Sequence, residues 1–591
     1  MSVRSLFALT LVLSAASFSC SSISTDGSST NTSNPACLPD LPCPPPVDPN
    51  AGVDPYNIPT RSGTTTAGGS SMNPLDPKSP GSTGVTTDAS GAIALDLAGF
   101  KNAGAPFIWV ANSAEGTESK IDVNTNLEVA RYCTYRGCNG DPSRSTVSLQ
   151  GDVVVANRAN YYGINFPNRA SAVKIAGDKS RCVDRNGNGK IDTNEAAGPI
   201  PAAYVWQATQ QDSPDECVLW LTDLSKDAAG NAVGGAGTLP RAATFDSTIG
   251  ADGTLSNYVY IGLYGTREVL RIDAKTGAIV KRIPVPTTLP YGMVGDKDGN
   301  VWVRGGSLVK IDVKNNDAVS SYSEACGYGI SADSRGYIYQ AGGNCVARFD
   351  PANPAKGWEV LNYGGGSGRG LALDSKFNLY VADTSNGIYH IDASQPHGMG
   401  MTTKKLVSPR GVSTESYYLG IGIDKNEQPW VVSTGASNLS VRVAGSGRVY
   451  HVNPADYTFA TVQTGDNPYT YSDMTGAQLR IAGAPFGIYR HTFKSDCAPQ
   501  KTTWTEVTYD LVTPPGTSVD ISARGAGDLT SLNTAIFGPA TSIPPAVAGP
   551  LKPSINEGVD NTYLQLQFKL NANAPTITPT VNNLQAKYIC G

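Results

Sequence analysis

An all-β fold is predicted by three observations. First, short apolar strands alternate with turns rich in Asp, Gly and Asn through the middle of the 591-residue chain. Second, a strand-ending signature recurs seven times: Lys120-Ile121-Asp122, Lys174-Ile175-Ala176, Arg271-Ile272-Asp273, Lys310-Ile311-Asp312, Arg348-Phe349-Asp350, His390-Ile391-Asp392 and His451-Val452-Asn453. Third, a turn element repeats between them, as in "GDKDGNVWV" and "ADSRGYIYQ". Its Asp residues at 296, 333, 374 and 424 lie 37, 41 and 50 residues apart. A unit of about 40 residues with four short strands is a propeller blade, which cannot bury both of its faces alone but can in a closed ring. The expected architecture is therefore a seven-bladed β-propeller, with six blades as the alternative, followed by a small β-sandwich.

Composition narrows the function classes. The 45 basic and 50 acidic residues nearly cancel, and no Lys/Arg block suggests a nucleic-acid partner or a polybasic membrane patch. With 64 Gly, 40 Pro, and 27 Tyr against 13 Phe, the chain suits a turn-rich β protein with a wet surface.

Along the chain, residues 1–19 are expected to be a signal peptide. Arg4 supplies its positive charge and Leu6 to Phe18 its apolar run, too short to span a bilayer comfortably. Cleavage before Cys20 leaves small residues, Ser17 and Ser19, at the cut. The segment Ser17-Phe18-Ser19-Cys20 resembles a bacterial lipobox, without the usual Leu three residues before the Cys. That resemblance implies lipidation of Cys20 and a location at the outer membrane or cell surface, a secreted protein being the alternative. Three acyl chains would hold firmly where one holds weakly.

Residues 20–94, with "CPPP" at 43–46 and "TTTAGGSS" at 64–71, carry too little apolar surface to fold alone. They are expected to form a tether spanning on the order of 45 Å as a flexible coil. Cysteine parity fits an exported protein: of eleven, Cys20 goes to the lipid and ten remain for disulfides. The expected pairs, from parity and sequence proximity, are Cys37–Cys43, Cys133–Cys138, Cys182–Cys217, Cys326–Cys345 and Cys497–Cys590.

The propeller is expected over 95–480. "D-x-x-G-N-V-W-V" at 296–303 and the Arg271-Ile272-Asp273 strand end make its blades similar to the NHL and virginiamycin B lyase-like propellers. The resemblance implies architecture first, since fold does not fix function. It also implies an enzyme alternative, in which His and Glu act with magnesium on a cyclic peptide lactone near the axis. Of the four His residues, His390 and His451 occupy the basic position of the repeat, and His397 and His491 match no motif of that family. No G-x-S-x-G, H-E-x-x-H or phosphate loop is present.

The longest interval between repeats, 176 to 273, holds "DRNGNGKIDTNE". Calcium takes six to eight oxygen ligands from a supple loop. Asp184, Asn186 and Asn188 stand at loop positions one, three and five, Gly189 at the turning sixth, Lys190 (through its carbonyl) at the seventh, Asp192 at the ninth and Glu195 at the bidentate twelfth. This resembles an EF-hand loop, although the preceding "ASAVKIAGDKSRC" suggests strand and turn, and Pro201 limits an exiting helix. A lone loop lacks the paired hand that a sensor opens, so a structural Ca2+ is expected, ordering an insertion at about 182–217.

Residues 485–591 alternate polar and apolar in "TEVTYDLV" and "YLQLQFKL" and are expected to form the sandwich, stapled by Cys497–Cys590. Appended sandwiches resemble carbohydrate- or surface-binding modules. The expected function is thus an exported, lipid-anchored scaffold that binds an envelope protein or glycan, with catalysis of the lyase kind as the alternative.

Overall fold

The computed structural model describes residues 61–68, 71–97, 106–158, 170–196, 198–232, 238–246, 258–408, 417–435, 443–482, 485–543, 560–572 and 577–591. The signal peptide, Cys20 and the Cys37–Cys43 pair lie outside these residues.

Six four-stranded antiparallel sheets follow one another between Pro142 and Gln463, each built of consecutive strands, and a three-stranded sheet precedes them over 107–133. These are seven blades. Each repeat signature ends the third strand of its blade, as Arg271-Ile272-Asp273 ends Glu268–Asp273 and His451-Val452 ends Arg448–Val452. The turn aspartates cap the hairpin between first and second strands. Asp296 accepts the backbone N–H of Asp298 and Asn300, and its second oxygen accepts the Trp302 indole N–H at 2.7 Å. Asp424 repeats the arrangement with Asn426, Gln428 and Trp430. A carboxylate is the side chain that satisfies two turn amides and one buried donor at once.

The three-stranded blade is completed from the far end of the propeller. Trp109 N–H donates to the Met474 carbonyl and Tyr469 N–H to the Ala111 carbonyl, both at 2.8 Å. Residues 468–475 thus lie along Phe107–Asn112 and close the ring, which removes the open edges of a linear array. Gly420 permits this closure, because a Cβ there would sit 1.5 Å from the Thr470 carbonyl oxygen. Seven apolar clusters fill the seven interfaces between neighbouring blades among the described residues. The closing interface sets Ile108 and Val110 against Trp430, Val432 and Met474.

The sandwich corrects the expected boundaries. Arg61–Ala67 pairs with Thr580–Cys590 over seven residues, and Ile93–Leu95 joins the same sheet. The tether expected over 20–94 therefore does not extend through 61–94, and the sandwich is not simply appended after the propeller. Composition misled here because this Thr-rich segment needs no core of its own. It borrows one, with Leu75, Ile93 and Leu95 buried against Val507, Phe568 and Leu584. The sandwich is a discontinuous domain, 61–97 plus 485–591, into which the propeller is inserted.

Four of the expected disulfides are present: Cys133–Cys138, Cys182–Cys217, Cys326–Cys345 and Cys497–Cys590. Cys497–Cys590 ties the segment before Thr502–Val512 to its sheet neighbour Thr580–Cys590, rather than joining the first and last strands of a C-terminal sandwich.

Candidate functional site

The inner strands of a propeller run along its axis, and their first residues surround one mouth. Here those positions carry Arg or Tyr. Arg144 lies in Pro142–Val147, Arg241 in Pro240–Phe245 and Arg369 in Gly368–Leu373. Tyr291, Tyr328 and Tyr417 immediately precede or flank the inner strands of blades four, five and seven, and Tyr469 and Tyr471 sit on the closing segment. Their rings form a chain: centroids are 6.1 Å apart for Tyr264–Tyr291, 5.1 Å for Tyr291–Tyr328, 5.0 Å for Tyr328–Tyr471 and 4.6 Å for Tyr471–Tyr469.

The arginines lie on these rings. Arg144 is 4.6 Å from the Tyr471 centroid and 4.9 Å from that of Tyr291; Arg241 is 4.5 Å from Tyr291 and Arg369 4.4 Å from Tyr328. Desolvated cations gain most from such ring faces. Arg241 also donates to the Tyr291 hydroxyl at 2.6 Å, which lies 2.6 Å from the Tyr328 hydroxyl. Arg158 and Arg304 differ in having carboxylates, Asp141 and Glu324, each at 2.6 Å.

Burial alone would push the Tyr291 hydroxyl up, but the Arg144 and Arg241 guanidiniums hold it down to about 7. Tyr328 moves the other way, raised by burial and by its Tyr469 and Tyr291 neighbours. An ultraviolet pH titration is expected to show one tyrosinate forming near neutrality, and Arg241→Gln is expected to move that step upward because one stabilising cation is gone. A titration in which every tyrosine ionises above its ordinary range contradicts the assignment.

The short helix Ala477–Ala482 follows the closing segment and packs against the inner strands of blades five, six and seven, while Leu479 reaches the core between blades two and three. It crosses the axis as a plug. Arg and Tyr side chains thus cluster around the mouth.

The histidines do not gather there. His390 stacks on Tyr380 at 4.7 Å and meets the Tyr457 hydroxyl at 2.9 Å; burial and Lys404 hold it down to about 4, against the opposing pull of Asp392. His451 stacks on Trp430 at 4.1 Å beside Asn126 and Gln428. His397 lies near Tyr337, and His491 belongs to the sandwich.

The 184–195 loop sits between the third and fourth strands of blade two. Among the described residues no α-helix flanks it; short 3-10 turns stand at Lys179–Arg181 and Ala202–Tyr204. Asp184 accepts the N–H groups of Gly187 at 2.7 Å and Gly189 at 2.9 Å, both glycines having positive φ. The Asn186 and Asn188 amides both donate to Asp192 Oδ2 at 2.8 Å. The side chains at positions three, five and nine therefore converge, while position one holds the loop's glycine N–H groups and Asn186 Oδ1 accepts the N–H of Asn188. Lys190 donates its N–H to Asn188 Oδ1. Glu195 does not join them; its carboxylate lies 3.6 Å from Lys179 Nζ. Among the described residues no group of three His, Cys, Asp or Glu is gathered as for a metal.

Sequence reasoning missed Glu216. This buried carboxylate accepts N–H bonds from Arg185 and Asn186 on one oxygen and from Asp192 on the other, at 2.8, 3.2 and 2.9 Å. It holds both limbs of the loop from beside Cys217, in the place a pair of helices would occupy.

No protein-family model matches the chain, and no curated protein does. Among solved structures it is similar to a streptogramin B lyase structure, with 12% identity, a TM-score of 0.35, and coverage of 56% of this chain and 86% of that one. It is similar to virginiamycin B lyase from Staphylococcus aureus at 13% identity and TM-score 0.31, covering 56% and 94%. A functionally unknown protein from Desulfotomaculum acetoxidans gives 11% identity and TM-score 0.37, covering 64% and 97%. Likenesses this distant carry no argument about activity; the blades are counted from the sheets themselves.

Proposed function

We propose that the protein is an exported β-propeller scaffold, anchored at the cell surface through lipid on Cys20, which binds an envelope partner at the axial mouth and carries a structural Ca2+ in its blade-two insertion. One observation carries the binding role: the mouth is walled by arginines and tyrosines and plugged beneath, while the histidines lie on blade flanks and in the sandwich. Catalysis of the lyase kind would call for an acid–base pair converging on one point. Capture from envelope extract by the parent protein but not by an Arg241→Gln, Arg369→Gln variant is the test; equal capture by both removes the mouth from the proposal.

A lyase-like enzyme is the second proposal, favoured by Tyr291. A tyrosinate near neutral pH beside Arg241 is a usable general base. Turnover of a candidate substrate that Tyr291→Phe abolishes, with binding retained, would replace the scaffold with the enzyme.

The anchor makes a separate prediction. Cys20→Ser is expected to move the protein from the detergent phase to the aqueous phase on partitioning, because no acyl chain can be attached. Unchanged partitioning counts against the lipid.

A further inference from the structure

We propose that the axial mouth takes a carboxylate-bearing glycan: uronate groups pair with Arg241 and Arg369, and sugar hydroxyls meet the ring edges and hydroxyls of the surrounding tyrosines. This rests on the binding role proposed above for the mouth and specifies the ligand.

The charge at the mouth points to an anion. Arg144, Arg241 and Arg369 stand on separate blades and have no carboxylate within ion-pair distance among the described residues. Arg158, Arg304, Arg335 and Arg348 each have one. Arg241 Nε is buried with no hydrogen-bond acceptor. Arg144 is almost fully buried, with a carbonyl acceptor on Ser143 at 2.9 Å, so it acts through its field rather than by contact. Arg144 and Arg241 share the single Tyr291 hydroxylate as their nearest anion and Arg369 has no carboxylate beside it among the described residues, so positive charge remains in excess at the mouth, and buried positive charge costs stability unless something pairs it. A carboxylate matches the planar guanidinium fork with two parallel hydrogen bonds.

The walls point to the body of the ligand. Tyr264, Tyr291, Tyr328, Tyr417 and Tyr471 are all half-buried. The arginines lie over ring faces, so the tyrosines offer ring edges and polar tips, which suit the hydroxyls of a sugar. Among the described residues the cluster holds no lysine and no exposed aliphatic side chain. The Cys326–Cys345 disulfide and the Arg304–Glu324 pair fix the loop that presents Tyr328, so the wall is preorganised.

The test is calorimetric titration of the full exported chain with oligogalacturonate, with the same oligosaccharide as its methyl ester, and with inorganic phosphate. Oligogalacturonate is expected to bind and the ester to lose at least about tenfold in affinity, the worth of one charge-assisted hydrogen bond. Arg241→Gln and Arg369→Gln are each expected to weaken binding by a similar factor, with Lys297→Ala, on a distant turn, unchanged. The ester comparison uses the parent protein, so it stands even where a variant fails to fold. Equal binding of acid and ester overturns the carboxylate, and binding of phosphate without oligogalacturonate overturns the glycan. If no sugar binds yet envelope capture remains sensitive to Arg241 and Arg369, the glycan fails while the mouth stands. If capture ignores both arginines, the mouth itself fails.

Discussion

Glu359→Ala is expected to lower the free energy of unfolding by about 3–5 kcal/mol at neutral pH, the usual cost of stripping one partner from a buried ion pair. The Arg348 side chain is fully buried at the junction of blades five and six, with the Glu359 carboxylate at 2.6 Å. Arg348 also donates to the carbonyls of Ala393 and Pro396 on the blade-six connection, and Glu359 accepts the N–H groups of Gly398 and Gly400 there. The pair is a strut between blades, so its loss exposes a charge that the remaining carbonyls only half satisfy. The pH dependence fixes the cause. Burial would raise the Glu359 carboxyl, but Arg348 and the two glycine N–H groups outweigh it and hold it below its ordinary 4.5. A depressed carboxylate contributes stability that is complete above pH 4.5 and is lost as pH falls through the folded value. The gap between parent and Glu359→Ala should therefore be widest near neutrality and narrow below pH 4.5. Urea unfolding across that range is the measurement, and a gap independent of pH would show that packing rather than charge was lost. The double variant Arg348→Met, Glu359→Leu should recover much of the loss, because it leaves no charge to desolvate.

The repeat that exposes the fold also carried the mouth. Arg241, Tyr291, Tyr328 and Arg369 stand five residues before Asp246, Asp296, Asp333 and Asp374. The aspartate was legible because turn chemistry demands it in most blades. The Arg or Tyr was not, because two chemically different side chains share the position and only ring closure brings the blades together. Blade seven hides it further, since Tyr417 stands seven residues before Asp424 rather than five. The seven strand ends were legible for the opposite reason: each local turn forms within its own hairpin. Residues 61–97 mark the limit of composition. Their polar, Thr-rich strand needs a partner more than 500 residues away in sequence, and no local pattern reports a borrowed core. Glu216 escaped notice likewise, because it acts on the 184–195 loop across the insertion it closes.

Calcium is expected to stabilise the blade-two insertion by about 2.7 kcal/mol when the free ion is at 100 times its dissociation constant. Asn186, Asn188 and Asp192 already meet and Asp184 heads the same loop, so the proposed ligand that has furthest to move is Glu195. Its contact with Lys179 is between two half-exposed side chains, a pairing worth about 0–1 kcal/mol, so swinging the carboxylate to an ion costs little. Glu195→Gln should then remove most of the calcium-dependent protection, and Asp184→Asn should act in the same direction. Lys190→Ala should change little, because only its carbonyl would reach the ion. Glu216→Gln separates ligand from support. It should weaken calcium protection and also loosen the loop without calcium, since it holds three backbone N–H groups whether or not an ion is present. Hydrogen exchange and limited proteolysis, in calcium and in chelator, are the measurements. Protection should be confined to residues near 182–217, because the Cys182–Cys217 bridge closes the insertion and a propeller distributes its stability over blade-to-blade contacts. Protection that calcium does not change makes the loop an ordinary Asn/Gly turn held by Glu216. Protection that spreads to distant blades or to the sandwich replaces the structural ion with a regulatory one.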